Sequence, residues 1–408
     1  MKDDKTVLPL KGIRVLELST VVAAPTTARM LCAYGADVIK VEALHGDELR
    51  GIGRLKKAPY ADYKNPIFTV SNSNKRLTSI NLKAPEGKAA IWKLLANTDV
   101  VVTNIREASL RRLGLDYASV SEEFPSLIYG QFYGYGPEGP SANDPGFDST
   151  AFWMRSGPLA DWTVRGEHPF YPTYAFGDMA TSSVLLSGIL IALYARERTG
   201  LGTMVNTSLL ASGIWCNANG VVSTQFENKR LNPDYTHPLD PFDTFYECGD
   251  GNWIAVYCNQ YERDLAKFAR HLGMLDILED PRWATPQSLE EDDFLPQAVE
   301  RVAAVFRTKS AYAWREQLSA DNISCEVMRR TCDVCRDPQA LANGYVEEME
   351  FADGLKVMMP CPPIHFSEYG RRDYANTGPV GADTDEVFQE LGYSLKEIAT
   401  LRKAGVIR

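Results

Sequence analysis

The sequence predicts an α/β fold, a mostly parallel sheet covered on both faces by helices, with a smaller α+β domain set into the chain. Three observations lead there. Strand-like apolar runs alternate with helix-like runs over roughly the first 220 residues, as in parallel strands joined by crossover helices. At 408 residues the chain is longer than one hydrophobic core usually organises, so two domains are expected. The character then changes near Glu227, where a polar, proline-containing stretch over 228–241 reads as a linker. The expected organisation is a large domain over 1–227, a small one over 228–330, and a return to the large domain over 331–408.

The elements follow in order. Gly12–Ser19 reads as a buried strand, Pro25 suits the start of a helix that stops near Gly35, and Ala36–Glu42 is a second strand. The stretch 44–66 reads as irregular, and Ser71–Lys83 leads into the next strand. A helix over Glu86–Leu95 precedes the strand Asp99–Asn104, and a short basic helix with Arg111 and Arg112 precedes strand Leu127–Phe132. Gly134-Tyr-Gly-Pro-Glu-Gly139 has GxGxxG spacing, yet Pro137 and Pro140 push it into a turn, so it reads as a flexible loop over a site. Gly146–Gly157 reads as helical. A long apolar run, Met179–Ala195, follows Asp178, and Met204–Ser208 is a last strand before a second apolar helix toward Val222. In the small domain, Phe242–Tyr257 reads as a hairpin about Gly249–Asn252, followed by helical segments. Strand pieces and a helix at Thr384–Leu391 lie beyond Pro338.

Composition narrows the function. Hydrophobic residues at 45% and charged residues at 24% are ordinary for a globular protein. A net charge of -10 argues against nucleic acid or an anionic membrane as main partner, while leaving room for a local basic pocket. The run after Asp178 is broken by Thr181, Ser182, Ser183 and Ser187 and is short for a membrane span, so a core helix is expected. The polar opening Met1–Thr6 carries no leader signature, and the eight Cys show no paired framework, so reduced thiols in a cytoplasmic protein are expected. Cys332 and Cys335 have CxxC spacing without the second pair that a zinc site needs. The five His lack HxH or HExxH spacing, so no metal is expected.

Asp178, just after Gly177, has two local readings. It can cap the helix that follows, accepting hydrogen bonds from free amides. It can also be a nucleophilic carboxylate beside a glycine that lets substrate come close. At a helix start its pKa is expected to be lowered. The strand ends carry Asn74, Lys75, Arg76, Lys83, Asn104 and Arg106, so a large phosphorylated ligand would fit beside a carboxylate nucleophile.

Taken in order, Leu10–Leu18 with Ala24-Pro25, Gly35–Glu42, Asn72–Arg76, Asn81–Lys83, Asn104, Arg112–Leu115, Gly134-Tyr-Gly136, Gly177-Asp178 and Gln389–Tyr393 resemble class III CoA-transferases of the CaiB/BaiF family. The resemblance spans nearly the whole chain. It implies a Rossmann-like, doubly covered parallel sheet formed by both chain ends, a small domain between them, and a homodimer interlocked like links of a chain. It implies no permanently bound cofactor; coenzyme A enters as a CoA-ester substrate, with a small carboxylic acid as the other. Asp178 would be the nucleophile. Val22, Ala23, Asn81, Lys83, Asn104 and Arg112 would contact coenzyme A. Tyr133, Gly134, Tyr135, Gly136, Glu138, Phe147 and Gly177 would line the substrate site or its lid.

The chain departs from the family pattern at Ala43 and Tyr133, where some members carry Arg and Lys; Arg50 or Lys75 would have to supply those charges. Gly146-Phe147-Asp148 stands where related α-methylacyl-CoA racemases have Gly-His-Asp, and Phe cannot carry a proton. Gly146–Phe152, Asn104–Arg106 and Gly114–Tyr117 look like the 2-hydroxy-acid branch, such as the phenyllactate and 2-hydroxyisocaproate CoA-transferases. Phe147, Phe152, Trp153 and Met154 would then line an acyl pocket. The product would suit a 2-hydroxyacyl-CoA dehydratase in anaerobic amino-acid fermentation. Transfer to another acid, of formate/oxalate, carnitine or bile-acid type, is the alternative, with racemisation behind it.

Overall fold

The computed structural model describes residues 7–61, 63–226, 234–235 and 237–408. Two compact units result: Met1–Pro158 with Tyr171–Glu227 and Pro338–Arg408, and Leu159–Phe170 with Asn228–Asp337. The second unit therefore takes in Leu159–Phe170 and runs on past 330 to Asp337, beyond the expected limits. Of the linker expected over 228–241, residues 228–233 and 236 lie outside the described residues.

The first unit is built on β1 (Arg14–Leu18), β2 (Asp37–Glu42), β3 (Arg76–Ser79), β4 (Val100–Thr103), β5 (Ile128–Tyr133) and β6 (Met204–Ser208), hydrogen-bonded in the order β3-β2-β1-β4-β5-β6. Every pairing is parallel; Leu16 of β1 aligns with Ile39 on one side and Val101 on the other. Strands such as Val100-Val-Val-Thr103 bury both faces, which is why they lack polar alternation.

Its helices include α1 (Ala23–Ala33), α2 (Leu49–Leu55), α3 (Pro66–Asn72), α4 (Pro85–Leu95), α5 (Glu107–Leu113), α6 (Tyr117–Glu123) and α7 (Phe176–Thr199). The stretch 44–66, expected to be irregular, thus contains α2. On one face Leu16, Leu18, Val101 and Tyr129 pack with Ile91 and Leu94 of α4 and Leu110 of α5. Burial of each such side chain is worth about 2 kcal/mol, so Leu16→Ala would cost more than that once the cavity is counted. The other face is covered by α1 and α7. Among the described residues α7 is the one helix long and apolar enough to cross a membrane. Its Leu185, Leu186, Ile189 and Leu193 are instead buried inside the protein.

All strands of this sheet come from residues 14–208, so the expectation that both chain ends form it is corrected. Past Pro338 the chain contributes a separate antiparallel pair, Val346–Glu350 with Lys356–Pro360. It also contributes a bridge from Ile407 to Ile80, and Val387, Phe388 and Ile398 to the core under the sheet. In the second unit, Thr244–Glu247, Trp253–Tyr257 and Ser324–Val327 form an antiparallel sheet. Its core is aromatic: Phe242 stacks on Phe268 at 4.5 Å and Tyr246 on Phe306 at 4.8 Å.

The strand order reverses between β1 and β4. Crossovers leave the sheet in opposite directions there and open a crevice at the strands' carboxyl ends, where open α/β sheets bind ligands.

Candidate active site

The crevice is lined first by residues leaving β1, Thr20 to Ala23, and residues leaving β4, Asn104 to Arg106. Asn104 ties them together. Its Oδ1 accepts from the Thr20 amide at 3.0 Å and its Nδ2 donates to the Thr20 carbonyl at 2.8 Å. Val21 follows at φ 68°, a left-handed conformation that a β-branched residue keeps only when its surroundings impose it. Asp47 imposes it, accepting from the amides of Val21 at 3.0 Å and Leu49 at 2.9 Å.

Asp47 belongs to a buried charge cluster. Lys40 Nζ lies 2.8 Å from both Glu17 and Asp47, and Lys75 Nζ lies 2.6 Å from Glu17. Burial opposes charge on each lysine. At Lys40 three acids, Glu17, Asp47 and Glu42, outweigh burial and raise the pKa, whereas at Lys75 burial outweighs Glu17 and lowers it to about 8. α1 starts beside this cluster with Val22 as N-cap and no side chain bonded to its first amides, so its positive end opens on the crevice.

On the opposite wall β5 ends at Tyr133, whose hydroxyl donates to Glu107 Oε2 at 3.4 Å. Burial, and then Glu107, push that phenol up to about 12. The chain then loops from Gly134 to Phe147 along the crevice. Gly134 and Gly146 pinch its neck, since a Cβ on either would sit 2.7 Å from the other's Cα. Arg155 holds the far side, its guanidinium 4.8 Å from the Tyr135 ring centre and its Nη1 donating to Ser141 Oγ at 2.7 Å.

The loop runs into a π-helical turn, Asp148–Met154, a wide helix that recurs at functional sites. Asp148 and Asp178 meet in the cavity wall, the latter at the third residue of α7. The cap position belongs to Ala175, left-handed at φ 61°. The α7 amides go to Asp148, whose Oδ1 accepts from Asp178 N at 3.1 Å. Burial, and then the charge of Asp148, raise the Asp178 carboxyl to about 7. The local reading of Asp178 as a cap with a lowered pKa is therefore corrected on both points. The donors that would have stabilised it serve another acid, and no cation pairs with it among the described residues.

The cavity measures about 870 Å³. It brings together Val22, Ala23, Asn104, Tyr133, Gly134, Phe147 and Asp178 from the residues singled out in the sequence. It leaves out Asn81, Lys83, Arg112, Tyr135, Gly136, Glu138 and Gly177. Asn81 is used in the turn before α4, its Oδ1 accepting from Lys83 N at 3.1 Å. Arg112 bonds Ser109 at 2.9 Å on another side of α5, while Arg106 and Arg111 line the cavity instead. Helix phase from Glu107 would have found Arg111, one turn along at the i+4 position. Gly177 is buried behind Asp178. Of the four residues offered for an acyl pocket, Phe147 lines the cavity, Phe152 and Trp153 are buried, as core packing of at least two of the four requires, and Met154 is exposed elsewhere.

Arg50 and Lys75 cannot supply the missing cations. Arg50 is bidentate to Glu42 at 2.7 Å and stacks on Phe68 at 4.0 Å, and Lys75 is spent on Glu17, Asn72 and the Pro25 carbonyl. Arginines, an open helix end and a basic carboxylate thus share one cavity, which suits an anionic ligand presented to a nucleophile.

Residues 10–384 match the model of CoA-transferase family III. The chain is 33% identical to (R)-2-hydroxy-4-methylpentanoate CoA-transferase of Clostridioides difficile, covering 98% of this chain and 99% of that one. It is 30% identical to cinnamoyl-CoA:phenyllactate CoA-transferase of Clostridium sporogenes, covering 96% and 95%. Among solved structures, a CAIB/BAIF family protein from Brucella suis superposes with a TM-score of 0.80 at 27% identity, over 94% of this chain and 99% of that one.

Proposed function

Because the chain belongs to CoA-transferase family III, we propose that it moves coenzyme A from an acyl-CoA or 2-enoyl-CoA to a 2-hydroxy carboxylic acid through Asp178. One observation carries the mechanism: a basic, cation-free carboxylate at the start of α7 lines the cavity at the sheet's switch point. The carboxylate attacks the thioester carbonyl, the C–S bond breaks, and coenzyme A leaves as the thiolate. The resulting mixed anhydride is attacked by that thiolate at the aspartyl carbonyl, which releases the donor acid and leaves an aspartyl-CoA thioester. The acceptor carboxylate repeats the sequence in reverse. No net proton moves, so Phe147 in place of a proton carrier is no handicap. Water must be kept out, and the loop over 134–147 would do so by closing over the cavity. The α1 amides and the Arg106 guanidinium suit the phosphates of coenzyme A, with Arg111, ion-paired to Glu107, beside them.

The choice of acceptor follows the two relatives named above. In the cytoplasm of a fermenting anaerobe the product would feed a 2-hydroxyacyl-CoA dehydratase. The test is incubation with acyl-CoA and hydroxylamine, which should convert Asp178 to its hydroxamate, read by mass spectrometry. A panel of (R)- and (S)-2-hydroxy acids, with oxalate as comparator, then ranks acceptors; preference for oxalate would overturn the 2-hydroxy-acid assignment.

The same reading includes a homodimer. The middle of α7 has no charged residue between Asp178 and Arg196, yet Ile191 is 69% exposed, and on the following helix, Leu209–Cys216, Trp215 is 76% exposed. A helix without a polar face belongs in an interior, and a second copy would supply it. Sedimentation equilibrium should give twice the chain mass; a monomer at micromolar concentration would remove this part of the reading.

A further inference from the structure

A carboxylate at the third position of a helix is ordinarily served by the free amides of the first turn. In α7 those amides are diverted. Asp178 N donates to Asp148 Oδ1 at 3.1 Å, and the Gly177 amide bonds the same carboxylate. The approach requires that residue 177 have no Cβ, which would sit 2.4 Å from Asp148 Oδ1 and 2.3 Å from the Phe152 ring. Phe152 and Asp148 share the π-helical turn, so Gly177, Phe152 and Asp148 fit as one unit.

We infer that Asp148 is a positioning residue for acyl transfer, occupying the α7 amides so that the Asp178 carboxylate stays free of donors and strongly nucleophilic. The inference rests on Asp178 being the acylated group. Its electrostatics follow from the geometry. Asp178 is raised to about 7 by burial and by Asp148, which leaves a large ionised fraction at neutral pH together with far more basicity than an ordinary aspartate has. Asp148 is itself raised by burial, against the pull of the Gly177 and Asp178 amides. Repulsion between the two carboxylates exists only while Asp178 is free. It vanishes when Asp178 becomes an anhydride or thioester carbonyl, which favours the covalent intermediates over the resting enzyme.

Other titratable groups share the cavity with Asp178 or stand beside it, Tyr133 and Asp144 among them. Tyr174, on the approach to α7, has its own pKa raised by burial and then by Asp178. Glu48 lines the cavity from the start of α2, and Arg106, Glu107 and Arg111 line it from α5.

The experiment follows the rate of hydroxamate formation at Asp178 from acyl-CoA and hydroxylamine across pH 5 to 9. Asp148→Asn keeps an oxygen acceptor for the amides and loses the charge. The expected result is an acid limb displaced downward by about one pH unit and an acylation rate at the alkaline plateau lowered about tenfold. An unmoved limb with an unchanged plateau overturns the inference. Should Asp148→Asn fail to fold by circular dichroism, Asp148→Ser provides a neutral cap and the same two readouts. A purely structural role for Asp148 would lower thermal stability in these variants without moving the limb, which also counts against the inference. Absence of hydroxamate in the wild-type protein at every pH is a different result, and it removes the acyl-transfer reading itself.

Discussion

Two groups of charge are buried at the edge of the same crevice and are treated in opposite ways. Around β1 and β2, Glu17 and Asp47 face Lys40 and Lys75 at 2.6–2.8 Å, and each acid has a cation. Between the π-helical turn and α7, Asp148 and Asp178 face each other with no cation paired to Asp178 among the described residues. The first group is a scaffold, its charges spent on holding Val21 in a strained turn. The second retains an uncompensated charge that substrate can use. Burial raises the stakes of both, and the presence or absence of a counter-charge decides which becomes structure and which chemistry.

The comparison breaks most visibly at Asp178. Asp178→Ala should lower turnover by about four orders of magnitude with little loss of acyl-CoA affinity. Steady-state rates and calorimetric titration read the two separately; turnover within tenfold of wild type would place the nucleophile elsewhere. In the scaffold the corresponding change is Lys40→Met, which leaves Glu17 and Asp47 without their shared cation. The expected cost is about 3–5 kcal/mol in urea unfolding. A cost under about 1 kcal/mol would mean that the cluster does not hold the turn.

How much of this was legible in the sequence follows the range of the interactions. The sheet was readable because each strand is a local apolar run and each crossover a local helix, and Asp178 stood out because Gly177 and a long apolar helix flank it. The partners were not readable. Lys75 and Arg50 look like free cations until the fold brings Glu17 and Glu42 against them from neighbouring strands and turns. The acceptor for the first α7 amides is thirty positions upstream, at Asp148, and it reaches the helix only because a π turn aims it there. Arg112 came from the family resemblance, which fixes a position in the chain but not the face of α5 that it occupies; one residue rotates that face by about 100°, and it is Arg111 that lines the cavity.

Which arginines serve the ligand is testable. Arg106→Ala should raise KM for acyl-CoA about tenfold, the worth of one charge-assisted hydrogen bond, while Arg112→Ala should change it by less than about twofold. The reverse ranking would return the phosphate contact to Arg112 and exclude this cavity wall as its site.

The smallest expected effect is one of stability, and its sign separates the two charge groups most sharply. The Asp178 carboxyl rises from an ordinary 3.8 to about 7 in the folded protein, through burial and then Asp148. The folded state therefore binds this proton more tightly than the unfolded state does. Stability from the protonated form is complete below about pH 4, falls as pH rises toward 7, and is absent above it. Asp178→Asn removes the titration, so near pH 8 the variant should melt at least about 2 °C above wild type, and near pH 4 the two should coincide. Lys40→Met has the opposite sign, destabilising because it strands Asp47 and leaves Glu17 with Lys75 alone. Calorimetric scans at the two pH values decide it. A variant no more stable than wild type near pH 8 would mean that the Asp178 charge is compensated after all, and the contrast between the two groups would collapse.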